Sequence, residues 1–152
     1  MLFVIVLPLA VIIGGQLGLF AGTPPTDLGL HNGMLKAPEP GSMNVVSSYA
    51  AQQSGSTTND IAPIRFDGDA TAAFDKLKHI VAAMNGATIV TATPTYLYAQ
   101  YRTRIMGFVD DVEFVLDAPH QAIQMRSASR IGKSDFGLNR RRLDTVRSRF
   151  NS

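Results

Sequence analysis

The sequence predicts an α+β fold: a four-stranded antiparallel sheet packed against an N-terminal and a C-terminal helix, preceded by one transmembrane helix. The first twenty-two residues contain no charged side chain. The segments Asp69 to Met84 and Asn139 to Phe150 repeat apolar residues at spacings of three and four, the period of a half-buried helix. Between them lie ATIVTA, TYLYAQYRT, DDVEFVLD and AIQMRSA, four runs with strand-like texture. At 152 residues the chain suits one domain plus a short extra element, and it divides into 1–22, 23–60 and 61–152.

MLFVIVLPLAVIIGGQLGLFAG, as one helix at 1.5 Å per residue, reaches about 33 Å, against a hydrocarbon core of roughly 30 Å. A membrane tolerates Pro8, Gly14 and Gly15 better than a soluble helix does. A cleaved signal peptide is the rival reading. Against it, no Lys or Arg precedes the apolar run, and Leu19 or Phe20 sits where a cleavage site wants a small residue. The flanking charges are too few to orient the span.

Thr23 to Asp60 is rich in Pro, Gly, Ser and Thr and has no sustained apolar period, which predicts an extended connector. Within it, MNVVSSYA is a candidate for local order. After IAPIRF, the first helical segment places Ala70, Ala73, Phe74, Leu77, Ile80, Val81 and Met84 on one face, with Asp69 as cap and Asn85-Gly86 as terminator. DDVEFVLD and AIQMRSA form a hairpin across Ala118-Pro119-His120. A turn centred on Ala118 and Pro119 sets Val112 opposite Met125, Phe114 opposite Ile123 and Asp111 opposite Arg126, because a one-residue slip would mix apolar with polar partners. The last segment turns Leu143, Val146 and Phe150 to one side and most of its arginines to the other.

Composition narrows the chemistry. The absence of cysteine removes disulfides, thiol nucleophiles and cysteine-ligated zinc. A net charge of +2 gives no global field for nucleic acid, although from Arg126 onward eight Lys or Arg face only Asp135 and Asp144. Gly132-Lys133-Ser134 lacks the phosphate loop's earlier glycine, since Ser127 stands in its place. His31, His79 and His120 fall in a connector, a helix and a turn without metal-ligand spacing. Ser127, Ser129 and Ser134 have no nucleophile elbow around them. Tyr96, Tyr98 and Tyr101 beside Arg102 and Arg104 read as strand packing with hydroxyls at the rim, rather than as a base-stacking platform. Arg140, Arg141 and Arg142 read as a solvated or headgroup-facing side of the helix.

Asp110, Asp111 and Glu113 are the carboxylates that could ligate a divalent cation or act as acid and base. On a strand, Asp110 points away from the other two. Pairing with Arg126, Arg130 or Arg140 is the plainer expectation.

GFVDDVEF, Gly107 to Phe114, and RSASRIGKSDFGLNRRRLDTVR, Arg126 to Arg147, resemble the signature of the domain of unknown function 1499 family. The resemblance runs from about Leu28 to Phe150 and includes LHNGMLKAPEP, Val46 to Ser48, IAPIRF and TYLYAQYRT. Members occur in bacteria and plant plastids and are often exported or membrane-anchored. The resemblance therefore implies a domain on the periplasmic, non-cytoplasmic side, and it implies no activity. Val45 stands where relatives commonly carry cysteine, so any role for that thiol is absent here.

These readings lead to a membrane-anchored envelope domain acting as a non-enzymatic binding or interaction module. The expected binding surface comprises Asp110, Asp111, Glu113, Arg126, Arg130, Asp135, Asn139 and Arg140. No catalytic residue, metal or cofactor is expected. The expected partners are a membrane, through residues 1–22, and an unidentified protein or small molecule, not nucleic acid. The alternatives are an enzyme using Asp110, Asp111 and Glu113 with a divalent cation, and an accessory subunit of a membrane complex.

Overall fold

A computed structural model describes residues 2–152, and their side chains from residue 9 onward. In chain order the elements are α1 (Leu2–Gln16), β1 (Leu30–His31), β2 (Met34–Leu35), β3 (Val45–Ser47), α2 (Ala50–Ser54), β4 (Ile64–Arg65), α3 (Ala70–Ala82), β5 (Ala87–Ala92), β6 (Tyr96–Arg102), β7 (Val109–Asp117), a 3₁₀ turn (Ala118–His120), β8 (Ala122–Ser129) and α4 (Leu138–Phe150). Asp69 caps α3 by accepting from the Ala72 amide at 2.7 Å.

The main sheet has six strands, where the sequence predicts four. Its order is β3-β8-β7-β6-β5, with β4 also paired to β8, and all these pairings are antiparallel. The two additional strands are three and two residues long, too short for alternation to announce them. Both lie along β8, so β7 and β8 become interior strands. β1 and β2 form a separate small hairpin.

One sheet face packs against α3 and α4. Phe74, Leu77 and Val81 of α3 and Leu143, Val146 and Phe150 of α4 meet Leu97, Ala99, Val112, Phe114, Ile123 and Met125. Several of these side chains are wholly buried, each contributing about 1.5–3 kcal/mol of transfer free energy. The other face carries Tyr96, Tyr98, Asp111, Glu113, Gln124 and Arg126, and the segment before β3 is strapped across it.

The β7–β8 register differs from the expected one by two residues. Phe114 pairs with Met125, Leu116 with Ile123, Glu113 with Arg126 and Asp111 with Ala128. The connection is longer than a two-residue turn: Ala118–His120 form the 3₁₀ turn and Gln121 adopts φ +47°. An even shift preserves which residues share a face and changes only who sits opposite whom.

The transmembrane helix is also corrected. α1 has 15 residues, about 22 Å at the helical rise, and among the described residues no helix is long and apolar enough to cross a membrane. Its C-terminal end docks on the loop between β6 and β7. Arg102 Nη2 donates to the carbonyls of Gly15 and Gln16 at 2.9 and 2.8 Å, and Gln16 Nε2 donates to those of Arg104 and Ile105. A Cβ on Gly15 would stand 2.3 Å from the Met106 carbonyl oxygen, so this glycine permits the backbone contact that ends the helix there.

Candidate functional site

Alternation along β7 sends Asp111 and Glu113 to the strapped face and Asp110 to the helical face. All three are buried, at 2%, 0% and 2% exposure for Asp111, Glu113 and Asp110. Isolated charges in such places would carry a large desolvation penalty, so each needs a partner.

Each has an arginine. Glu113 accepts from Arg126 Nη1 at 3.1 Å, from the Tyr96 hydroxyl at 2.9 Å and from the Gly29 amide at 2.6 Å. Asp111 holds Arg130 in a two-point pair, Nε at 2.8 Å and Nη2 at 2.7 Å, and accepts from the Tyr98 hydroxyl at 2.6 Å. Asp110 holds Arg142 Nη2 at 2.5 Å. Burial, reinforced by the Glu113 charge and hydrogen bond, pushes the Tyr96 phenol well above its usual range. Burial and the bond to Asp111 raise Tyr98, while the bond to Asp111 raises Arg130 further.

The helical-face cluster extends through α4. Asn139 Oδ1 accepts from Ser127 Oγ at 2.5 Å and from Arg142 Nη1 at 2.6 Å, and Asn139 Nδ2 donates to the Asn44 carbonyl and to Ser129 Oγ. The Arg142 guanidinium lies 4.8 Å from the Tyr101 ring centroid. Burial pushes the Tyr101 phenol up to about 12 although Arg142 pulls it down.

The residues expected to form one surface are therefore divided. Asp111, Glu113, Arg126 and Arg130 lie together under the strap, while Asp110 and Asn139 lie on the opposite face with Arg142. Asp135 works as a cap for α4, accepting from the amides of Gly137 and Asn139 at 2.9 and 2.7 Å. Arg140 joins no carboxylate and donates to the carbonyls of Thr58 and Asp60. Arg142, read from the sequence as part of a solvated or headgroup-facing side of the helix, is instead buried and joins the cluster of Asp110 and Asn139. A spacing of three and four links Asn139, Arg142, Leu143, Val146 and Phe150, which puts Arg142 on the buried stripe, and that was the available signal.

Chemically, Asp111 and Glu113 accept on both oxygens from guanidinium, phenol and amide donors, whereas Asp110 accepts from Arg142 through Oδ2 and also borders a cavity. Among the described residues no group of three His, Cys, Asp or Glu could hold a metal ion. Arg126 Nε is buried without a hydrogen-bond partner. Val45 is buried in β3 opposite Ala128.

Asp111, Arg126 and Arg130 line one cavity of about 240 Å³ beneath the strap, and another opens where β7 begins and β8 ends. This second cavity, of about 340 Å³, is bounded by Phe108, Val109, Ser129, Ile131, Phe136 and Leu138, with Asp110 and Asp135 also reaching it. Its wall is the Ser129 to Leu138 loop, which contains GKSDFG. Phe136 in that loop is 89% exposed and holds φ +52°, a left-handed conformation uncommon for an aromatic residue.

A family model described as "Protein of unknown function (DUF1499)" matches residues 37–150. No curated protein and no solved structure matches the chain.

Proposed function

We propose, for a chain that belongs to the DUF1499 family, a non-enzymatic binding module whose cavity under the Ser129 to Leu138 loop receives an acyl-like apolar group. The observation that carries this reading is the cavity itself: about 340 Å³, with a mainly apolar surface although Thr103, Asp110, Ser129, Ser134 and Asp135 also line it, and overhung by an exposed phenylalanine in a left-handed backbone. That volume falls in the range of small-molecule sites, about 300–1,000 Å³. Backbone strain concentrates where function requires it. The ion pair behind the cavity supports the same reading: Asp110, bound through Oδ2 to Arg142, ties one wall to α4. An alternative enzyme built on Asp110, Asp111 and Glu113 is less well supported, because every one of them already holds an arginine.

Isothermal titration with decanoate, kept below its micellar concentration, tests the proposal. Binding is expected in the wild type. Ile131→Asp, at a half-exposed lining position, should abolish it while leaving the melting temperature nearly unchanged. Failure to bind decanoate, decanol or a comparable apolar probe would overturn the reading. Location outside the cytoplasm belongs to the same proposal and is supported by family kinship. A C-terminal reporter active only in the cytoplasm would contradict it.

A further inference from the structure

We infer that the mouth of this cavity and the α1 end beside it form one surface that lies in the headgroup region of an anionic bilayer, inserting without spanning it. The inference rests on the reading of the cavity as an acyl-binding site and names where the acyl group comes from.

Contacts join the parts of the surface. Gln16, ending α1, is bonded to the carbonyls of Arg104 and Ile105. The Phe20 and Phe108 rings lie 5.6 Å apart, and Phe108 lines the cavity. Gly22 lies so close to Ile131 that an added Cβ would stand 3.0 Å from its side chain, and Ile131 lines the cavity with Phe136. An apolar strip thus runs from α1 past Ile105 and Phe108 to Ile131 and Phe136.

The strip is exposed where folding alone would bury it. Leu17, Leu19, Ile105 and Phe136 are 80%, 74%, 61% and 89% exposed, and Leu9, Val11, Ile12 and Ile13 of α1 are exposed as well. An exposed apolar patch of this extent marks an interaction surface. Charge selects the partner. The first ionisable side chain of the sequence is Asp27, so residues 2–26 set no carboxylate against a lipid. Arg104, Lys133 and Arg141 are exposed around the strip, and among the described residues none of them is in an ion pair. Apolar insertion flanked by cations is the pattern that binds anionic interfaces. α1 carries no charged residue, so it supplies apolar area to that layer while the cations come from the domain beside it.

The chain contains no tryptophan, so Phe136→Trp provides a single reporter. In the full-length protein, its emission should shift to the blue with phosphatidylcholine/phosphatidylglycerol vesicles and be quenched by brominated acyl chains. Pure phosphatidylcholine should bind more weakly. Ile105→Asp, outside the cavity lining, should weaken vesicle partitioning by about tenfold or more and leave decanoate affinity unchanged. A reporter that responds to decanoate but to no vesicle would overturn the bilayer surface and leave the cavity reading standing. Loss of the decanoate response with vesicle binding retained would instead count against the cavity. Sedimentation showing a lipid-free dimer, with the reporter indole shielded from aqueous quenchers, would assign the strip to a second copy and overturn the inference.

Discussion

Arg142 of α4 donates to the Asp110 carboxylate of β7 at 2.5 Å, and the same guanidinium donates to Ser127 Oγ and Asn139 Oδ1 at 3.0 and 2.6 Å. One buried side chain therefore fixes the last helix to two central strands. Replacing Asp110 by Ala strands a buried cation. The expected loss is about 3–5 kcal/mol, read as a lower urea midpoint. Asp110→Leu combined with Arg142→Met should recover much of it, because an apolar pair of similar volume leaves no uncompensated charge.

Glu113 ties the N-terminal strap to the sheet through the Gly29 amide at 2.6 Å. Glu113→Ala removes that acceptor and also leaves Arg126 unpaired in a buried position. The substitution should lower stability by several kcal/mol, about 3 or more. A separate signature identifies the strap: hydrogen exchange should accelerate at Gly29 and its neighbours well before the β7–β8 amides respond.

Asp117 supplies a pH dependence. Burial alone would raise its pKa, but hydrogen bonds from His120 and Gln124 hold it below the usual carboxylate range. A depressed folded pKa means a stabilising contribution that is complete above the unfolded value and disappears as pH falls through the folded one. The stability difference between wild type and Asp117→Asn should therefore be largest near neutrality and shrink toward zero in strong acid. A constant difference across chemical denaturation curves from pH 7 to pH 2 would contradict this origin.

What was legible in the sequence follows from the length of each pattern. Six to nine residues of strand texture were enough to mark β5 to β8, and a full helical stripe with Asp69 ahead of it was enough for α3. β3 and β4 had no such length, and they acquire their conformation by pairing with β8. The opposition of Asp110 to Asp111 and Glu113 followed from alternation, whereas their particular partners depended on a turn whose Gln121 takes a left-handed backbone. Gly14 and Gly15 suited a membrane span on paper. Their packing against Leu19 and the Met106 carbonyl shows instead a helix end seated on the domain. The cavity had no sequence signature, because its lining comes from the β6–β7 loop, two strand ends and the GKSDFG loop.

Phe136 allows stability and function to be separated. Its φ of +52° is a conformation that glycine adopts freely and an L-residue adopts at a cost of about 1–2 kcal/mol, and with 89% exposure the ring regains little of that from packing. If the residue served the fold alone, Phe136→Gly would destabilise the protein. The expected outcome is the reverse: a melting temperature unchanged or raised by a few degrees, together with decanoate affinity reduced about tenfold or more through loss of aromatic contact at the cavity mouth. Phe136→Ala, which keeps the strain and loses the ring, should match the glycine variant in binding and fall below it in stability. Calorimetric melting and titration on the three proteins measure the two effects independently, and equal binding by all three would remove Phe136 from the site.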